Sequence, residues 1–195
     1  MSPELVQRAI DAIDAAHAVD EKRLDGRPAE IVYVERVGRW IETLVAQPSA
    51  ALVLAARAQH LERWVIPRSD FPTGRGGYFR WRKAVQKRQG ERAAEILRAA
   101  GCDETLGARV ATLVAKAAAA DDAEGQALED AACLVFLESE LATFAHDHRD
   151  YTEEKFVDIV RKTWARMSPA GHAQARTIPL VPELARLVER ATTDT

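Results

Sequence analysis

The stretch Asp130-Ala131-Ala132-Cys133-Leu134-Val135-Phe136-Leu137-Glu138-Ser139-Glu140-Leu141-Ala142-Thr143-Phe144 sets Leu134, Leu137, Leu141 and Phe144 at steps of three and four. Those steps trace one face of an α-helix and match no strand period. The same rhythm recurs upstream at Ile31, Val34, Val37, Ile41 and Leu44. Between such runs stand helix-start signals at Ser2-Pro3, Pro48-Ser49, Asp103, Thr152, Ser168-Pro169 and Pro182-Glu183, with a stop at Gly101. Alternation of apolar and polar residues never persists, so no strand is predicted. The expectation is a single all-α domain over residues 1–195, with eight to ten helices.

Some boundaries follow from the same punctuation. A third helix is expected from Ala50 to about Glu62, and a long basic helix from about Tyr78 to Ala100. One continuous helix is expected from about Glu124 to Ala145. Residues 64–77 hold two prolines and three glycines and read as irregular.

Composition narrows the functional classes. At 47% hydrophobic and 29% charged, the 195 residues are globular rather than disordered. No apolar run reaches the length of a spanning helix, and Met1-Ser2-Pro3-Glu4 lacks the basic-then-apolar pattern of a secretory signal. A cytoplasmic protein without membrane attachment is the expectation. Two cysteines, Cys102 and Cys133, cannot build a disulfide framework or a four-thiolate zinc site. A net charge of −3 argues against nucleic acid as a partner. Yet residues 60–98 carry ten Lys and Arg against four acidic residues, while residues 121–154 are rich in Asp and Glu. The basic stretch suits a small anionic ligand; a homo-oligomer is equally compatible with the composition.

Two residues break apolar patterns. His60 extends the spacing Val53, Ala56, His60, Trp64, and Asp130 heads the stripe of Leu134 and Leu137. A buried polar group needs a partner, and a buried carboxylate needs one more urgently. Each is read either as a satisfied core residue or as a catalytic or ligand-binding group, with Asp130 anchored by a hydrogen bond or an arginine in the bland case. Arg36, Arg63, Arg68 and Arg82, with Tyr78 and Trp81, form the candidate anion site. Arginine beside an aromatic ring can stack and still present its planar fork to phosphate or carboxylate. The glycine-rich Gly74-Arg75-Gly76-Gly77 could place backbone N–H groups around an anion, although its spacing fits no phosphate-loop fingerprint. His146-Asp147-His148 reads as a solvated helix end, since side chains two apart point to different helical faces.

The residues Gln59-His60 through Trp64, Ile66-Pro67-Arg68, Gly77-Tyr78 with Trp81-Arg82, and Gln126 through Glu138 resemble the domain-of-unknown-function family four-two-zero-two. Lys162-Thr163-Trp164 and Met167-Ser168 extend the likeness over nearly the whole chain. That family implies no established activity. The order of elements is also similar to the HD superfamily of metal-dependent phosphohydrolases, which are all-α. Carried over, His60 matches the middle histidine of its ligand set and Asp130 the distant aspartate. Leu61 stands where the paired aspartate belongs, and Glu35 or Arg36 stands near the first histidine. The resemblance implies a divalent metal held by His60, Asp130 and Glu35, activating water while arginines steady a phosphate. Three functions are therefore expected to compete: an anion-binding protein, an HD-like hydrolase with His60 and Asp130 as catalytic groups, and a non-catalytic interaction or structural protein.

Overall fold

A computed structural model describes residues 2–193. Its helices begin where short polar side chains can replace the missing turn of hydrogen bonds. Ser2, Ser49, Asp103, Thr152 and Ser168 each accept a hydrogen bond from the backbone N–H three residues on. The described residues form ten α-helices: α1 (Pro3–His17), α2 (Ala29–Leu44), α3 (Ala50–Arg57), α4 (Gly74–Ala99), α5 (Glu104–Val114), α6 (Ala123–Val135), α7 (Leu141–Asp147), α8 (Glu153–Trp164), α9 (Pro169–Ala175) and α10 (Pro182–Thr192). The all-α class read from periodicity is the one observed. Among the described residues no helix is long and apolar enough to cross a membrane.

The chain divides into two compact units, Met1–Leu128 and Glu129–Thr195, with α6 running through the boundary. In the first unit α5 packs on α3 and α4, and α2 lies on α3. Its core holds Ile13, Ile41, Leu52, Leu54, Leu97 and Leu113, all essentially shielded from water. In the second unit α8 packs on α10. The stripe Leu134, Leu137 and Leu141 is buried there as its spacing requires. Cys102 and Cys133 are buried and form no disulfide.

Four boundaries differ from the sequence expectation, each for a local reason. A two-residue antiparallel pair, Arg23–Leu24 with Arg27–Pro28, precedes α2 where no strand was expected. Asp25 and Gly26 both take left-handed backbone, as a two-residue hairpin turn demands. The long basic helix starts at Gly74 rather than Tyr78, so the glycines form its first turn instead of a loop. The helix expected over 124–145 is interrupted by a π-helical segment, Phe136–Glu140, between α6 and α7. Its extra residue per turn shifts the register of that face without exposing Leu137 or Leu141.

The fourth difference positions the site. α3 ends at Arg57, five residues early, and His60 and Glu62 adopt left-handed backbone at φ 61 and 48. His60 is therefore not a member of a helical stripe, and Trp64 is 39% exposed rather than core. For residues with a Cβ, left-handed backbone costs about 1 kcal/mol each. Side-chain bonds offset it. The Glu62 carboxylate accepts hydrogen bonds from Arg88 at 3.2 Å and Arg92 at 2.8 Å on α4, and Leu61 between them is buried.

Candidate functional site

The turn after α3 fixes His60 from three sides. Its ring stacks on Tyr33 of α2, with centroids 4.2 Å apart and planes 11° from parallel. Nδ1 lies 3.2 Å from Glu30 Oε2, also on α2, and the carbonyl of His60 accepts from the N–H of Arg63. Glu30 is only 14% exposed. Burial alone would raise its carboxyl group. The hydrogen bond from His60, with the charge of Arg63, outweighs burial and holds it below the usual carboxylate value. An ionised Glu30 accepts the Nδ1 proton, leaving Nε2 with its lone pair. The imidazole is 28% exposed, and Nε2 makes no hydrogen bond to a described residue.

Arg63 links this histidine to an aromatic platform on α4. Its guanidinium lies 5.6 Å from the Trp81 ring centre, and Trp81 is 5.9 Å from Tyr78. Arg82 sits 5.9 Å from the ring of Tyr78, and Arg75 lies 5.5 Å from that of Phe79. Phe79 is 52% exposed, its neighbour Tyr78 is exposed too, and so are Trp64 and Val65 in the loop before α4. Five arginines elsewhere in the first unit, Arg27, Arg57, Arg88, Arg92 and Arg109, are paired with carboxylates. Arg63, Arg75 and Arg82 have no such partner among the described residues, so a ring orients each fork while its N–H groups remain free.

Other expected site residues are placed differently. Arg68 holds its own loop, donating to the carbonyls of Phe71 and Pro72 at 2.9 Å each. Trp81 donates its indole N–H to the Ile66 carbonyl at 2.9 Å. Arg36 is half-buried on α2, one turn from Tyr33. Glu35 makes a bidentate pair with Arg27 at 2.7 and 2.9 Å, and that bond holds its carboxyl low. Asp130, in the second unit and 2% exposed, accepts from the N–H of Ser168 at 2.8 Å and from its hydroxyl at 2.5 Å. Ser168 is the cap of α9, so Asp130 braces that helix start. Among the described residues no three His, Cys, Asp or Glu side chains are grouped to hold a metal ion. The expected set of His60, Asp130 and Glu35 forms no such group: Glu35 is taken up by Arg27, and Asp130 by Ser168. His146 and His148 lie at the end of α7, where His148 stacks on Tyr151 at 4.5 Å and Arg149 approaches His146.

Sequence reasoning missed Glu30, Glu62 and His17. His17 ends α1 and is fully buried; Nε2 donates to the Arg57 carbonyl at 2.9 Å, and Nδ1 has no partner. Burial pushes its imidazole below the ordinary value and keeps it neutral. Unfolded His17 takes up a proton as pH falls through about 6.5, and the folded form does not. Its stabilising contribution is therefore complete above that pH and declines below it, by at most about 1.4 kcal/mol per pH unit for one proton. Glu30 adds acid sensitivity only below the ordinary glutamate range. Urea unfolding between pH 7.5 and pH 5 should show a steeper loss for the wild type than for His17→Gln. Parallel curves would assign the acid sensitivity elsewhere.

These features define an all-α protein whose larger unit carries a His–carboxylate pair and arginines laid over aromatic rings. The chain belongs to the family described as Domain of unknown function (DUF4202), whose model matches residues 7–188. No curated protein and no solved structure matches it.

Proposed function

We propose that this protein binds an anionic small molecule, phosphorylated or carboxylated, through Arg63, Arg82 and Nε2 of His60. The observation that carries this reading is the set of guanidinium groups laid over aromatic rings without carboxylate partners among the described residues, with Arg63 three residues after an imidazole whose Nε2 makes no hydrogen bond to a described residue. Stacking fixes each fork and lowers the ordering cost of binding, and charge-assisted hydrogen bonds supply affinity. In this reading Arg68 shapes the loop and Asp130 braces α9, and neither touches the ligand.

Calorimetric titration with pyrophosphate and with citrate at low salt tests it. One saturable site is expected, and Arg63→Ala or Arg82→Ala should each weaken it by roughly 10- to 100-fold, the loss of a charged hydrogen-bond donor. Absence of saturable binding to either anion would sink the reading. Phosphate release that requires an added divalent ion would favour the HD-like hydrolase instead. The exposure of Tyr78 and Phe79 beside Arg75 and Arg82, with Trp64 and Val65 also exposed, favours a second reading, an interaction module, because exposed apolar and arginine side chains suit a protein interface. Under it, Phe79→Ser would abolish association while leaving small anions indifferent to the platform.

A further inference from the structure

His60 combines properties that simple anion binding does not need. An arginine or lysine would supply charge there with no orienting partner on its side chain. The imidazole is held instead by the half-buried Glu30 carboxylate on Nδ1 and a parallel ring beneath it. That arrangement fixes one tautomer, with the proton on Nδ1 and the lone pair on Nε2. The free nitrogen lies on a partly exposed ring, and the next turn carries Arg63, whose charge reaches Glu30. A nucleophile with an orienting carboxylate behind it and an arginine three residues on suits attack on phosphorus.

We propose that Nε2 of His60 is a metal-independent phosphoryl acceptor, taking its phosphoryl group from an acyl phosphate or a similarly activated donor. The inference rests on the anion-binding reading above, since Arg63 and Arg82 would hold the phosphoryl oxygens. The Nε2 lone pair forms the N–P bond while the P–O bond to the acyl group breaks, and the electron pair departs on the leaving carboxylate. The ring gains a positive charge that is shared with Nδ1–H, facing the ionised Glu30. That proton stays on the ring or passes to Glu30. Glu30 is thus a positioning residue, and His60 is the group that reacts.

The test incubates the full chain with acetyl phosphate at neutral pH and follows intact mass and peptide maps under alkaline conditions, where phosphohistidine survives. One acid-labile phosphoryl group on His60 is expected. It should be absent from His60→Asn, a replacement chosen because asparagine tolerates left-handed backbone. Glu30→Gln should slow labelling by about a hundredfold, and imidazole nitrogen shifts should show His60 losing its Nδ1–H preference. A merely structural glutamate would not move that tautomer signal. His146→Ala and His172→Ala should label as the wild type does. Labelling at His146, His148 or His172 with His60 bare would overturn the proposal, as would release of free phosphate with no protein-bound intermediate. Saturable pyrophosphate binding with His60 unlabelled overturns the acceptor role and leaves the anion-binding reading standing; absence of pyrophosphate binding removes both.

Discussion

Asp130→Ala should lower the unfolding free energy by about 3 kcal/mol, because the N–H and hydroxyl of Ser168 would both lose a charged acceptor inside the second unit. Asp130→Asn should cost about 2 kcal/mol, since one amide oxygen still accepts while the amide nitrogen faces a donor. The neighbouring Gly171 gives an independent check. A Cβ there would lie 2.8 Å from both Cγ and Oδ1 of Asp130, so Gly171→Ala is overpacked and should destabilise by about 1–3 kcal/mol. The double variant separates the causes. With the carboxylate gone the added methyl group has room, so the combined loss should fall short of the sum by at least about 0.5 kcal/mol. Urea unfolding of the four proteins reads all of this. An Asp130→Ala variant as stable as the wild type would remove the bracing role and return Asp130 to the list of ligand-binding candidates.

Asp130 also shows what a sequence can and cannot reveal. Its position at the head of an apolar stripe marked it as a buried carboxylate needing a partner, and it is one. The partner, Ser168, was visible only as a helix cap, because 38 residues separate the two. Local chemistry was legible throughout: the caps at Ser49, Asp103 and Thr152 need only three residues to act. The end of α3 was not. Nothing between Ala58 and Glu62 forbids a helix, and the chain leaves it because Glu62 meets Arg88 and Arg92 from α4. Helical spacing consequently misplaced His60, and its partner Glu30, thirty residues upstream, carried no signal at all. The arginines beside aromatic residues were legible as a group. Which of them remain without carboxylates depended on tertiary pairing, and Arg68 proved to serve its own loop.

Gly77→Ala should be the most damaging single methyl addition in the first unit. A Cβ built on Gly77 would sit 1.7 Å from the Pro72 carbonyl oxygen, 2.6 Å from its carbon and 3.2 Å from its Cα. Those are backbone atoms, so no side-chain rotation relieves the overlap, and residues 66–72 must lift from the first turn of α4. Lifting them breaks the bond from Arg68 to Pro72 and strains those from Arg68 to Phe71 and from Trp81 to Ile66. The expected loss is about 3 kcal/mol or more, at the upper end for overpacking. Gly76 provides the control, since its Cβ would meet nothing within 4 Å. Gly76→Ala should be neutral or stabilising by up to about 1 kcal/mol through helix propensity. Thermal and urea unfolding compare the two stabilities, and the indole N–H resonance of Trp81 reports the hydrogen bond to Ile66. Because Trp81 also carries Arg63, the Gly77→Ala protein that remains folded should bind pyrophosphate at least tenfold more weakly than Gly76→Ala, about 1.4 kcal/mol. Equal stability of the two variants would mean that the loop yields freely. Equal affinity with unequal stability would mean that the arginine forks do not depend on residues 66–72 for their placement.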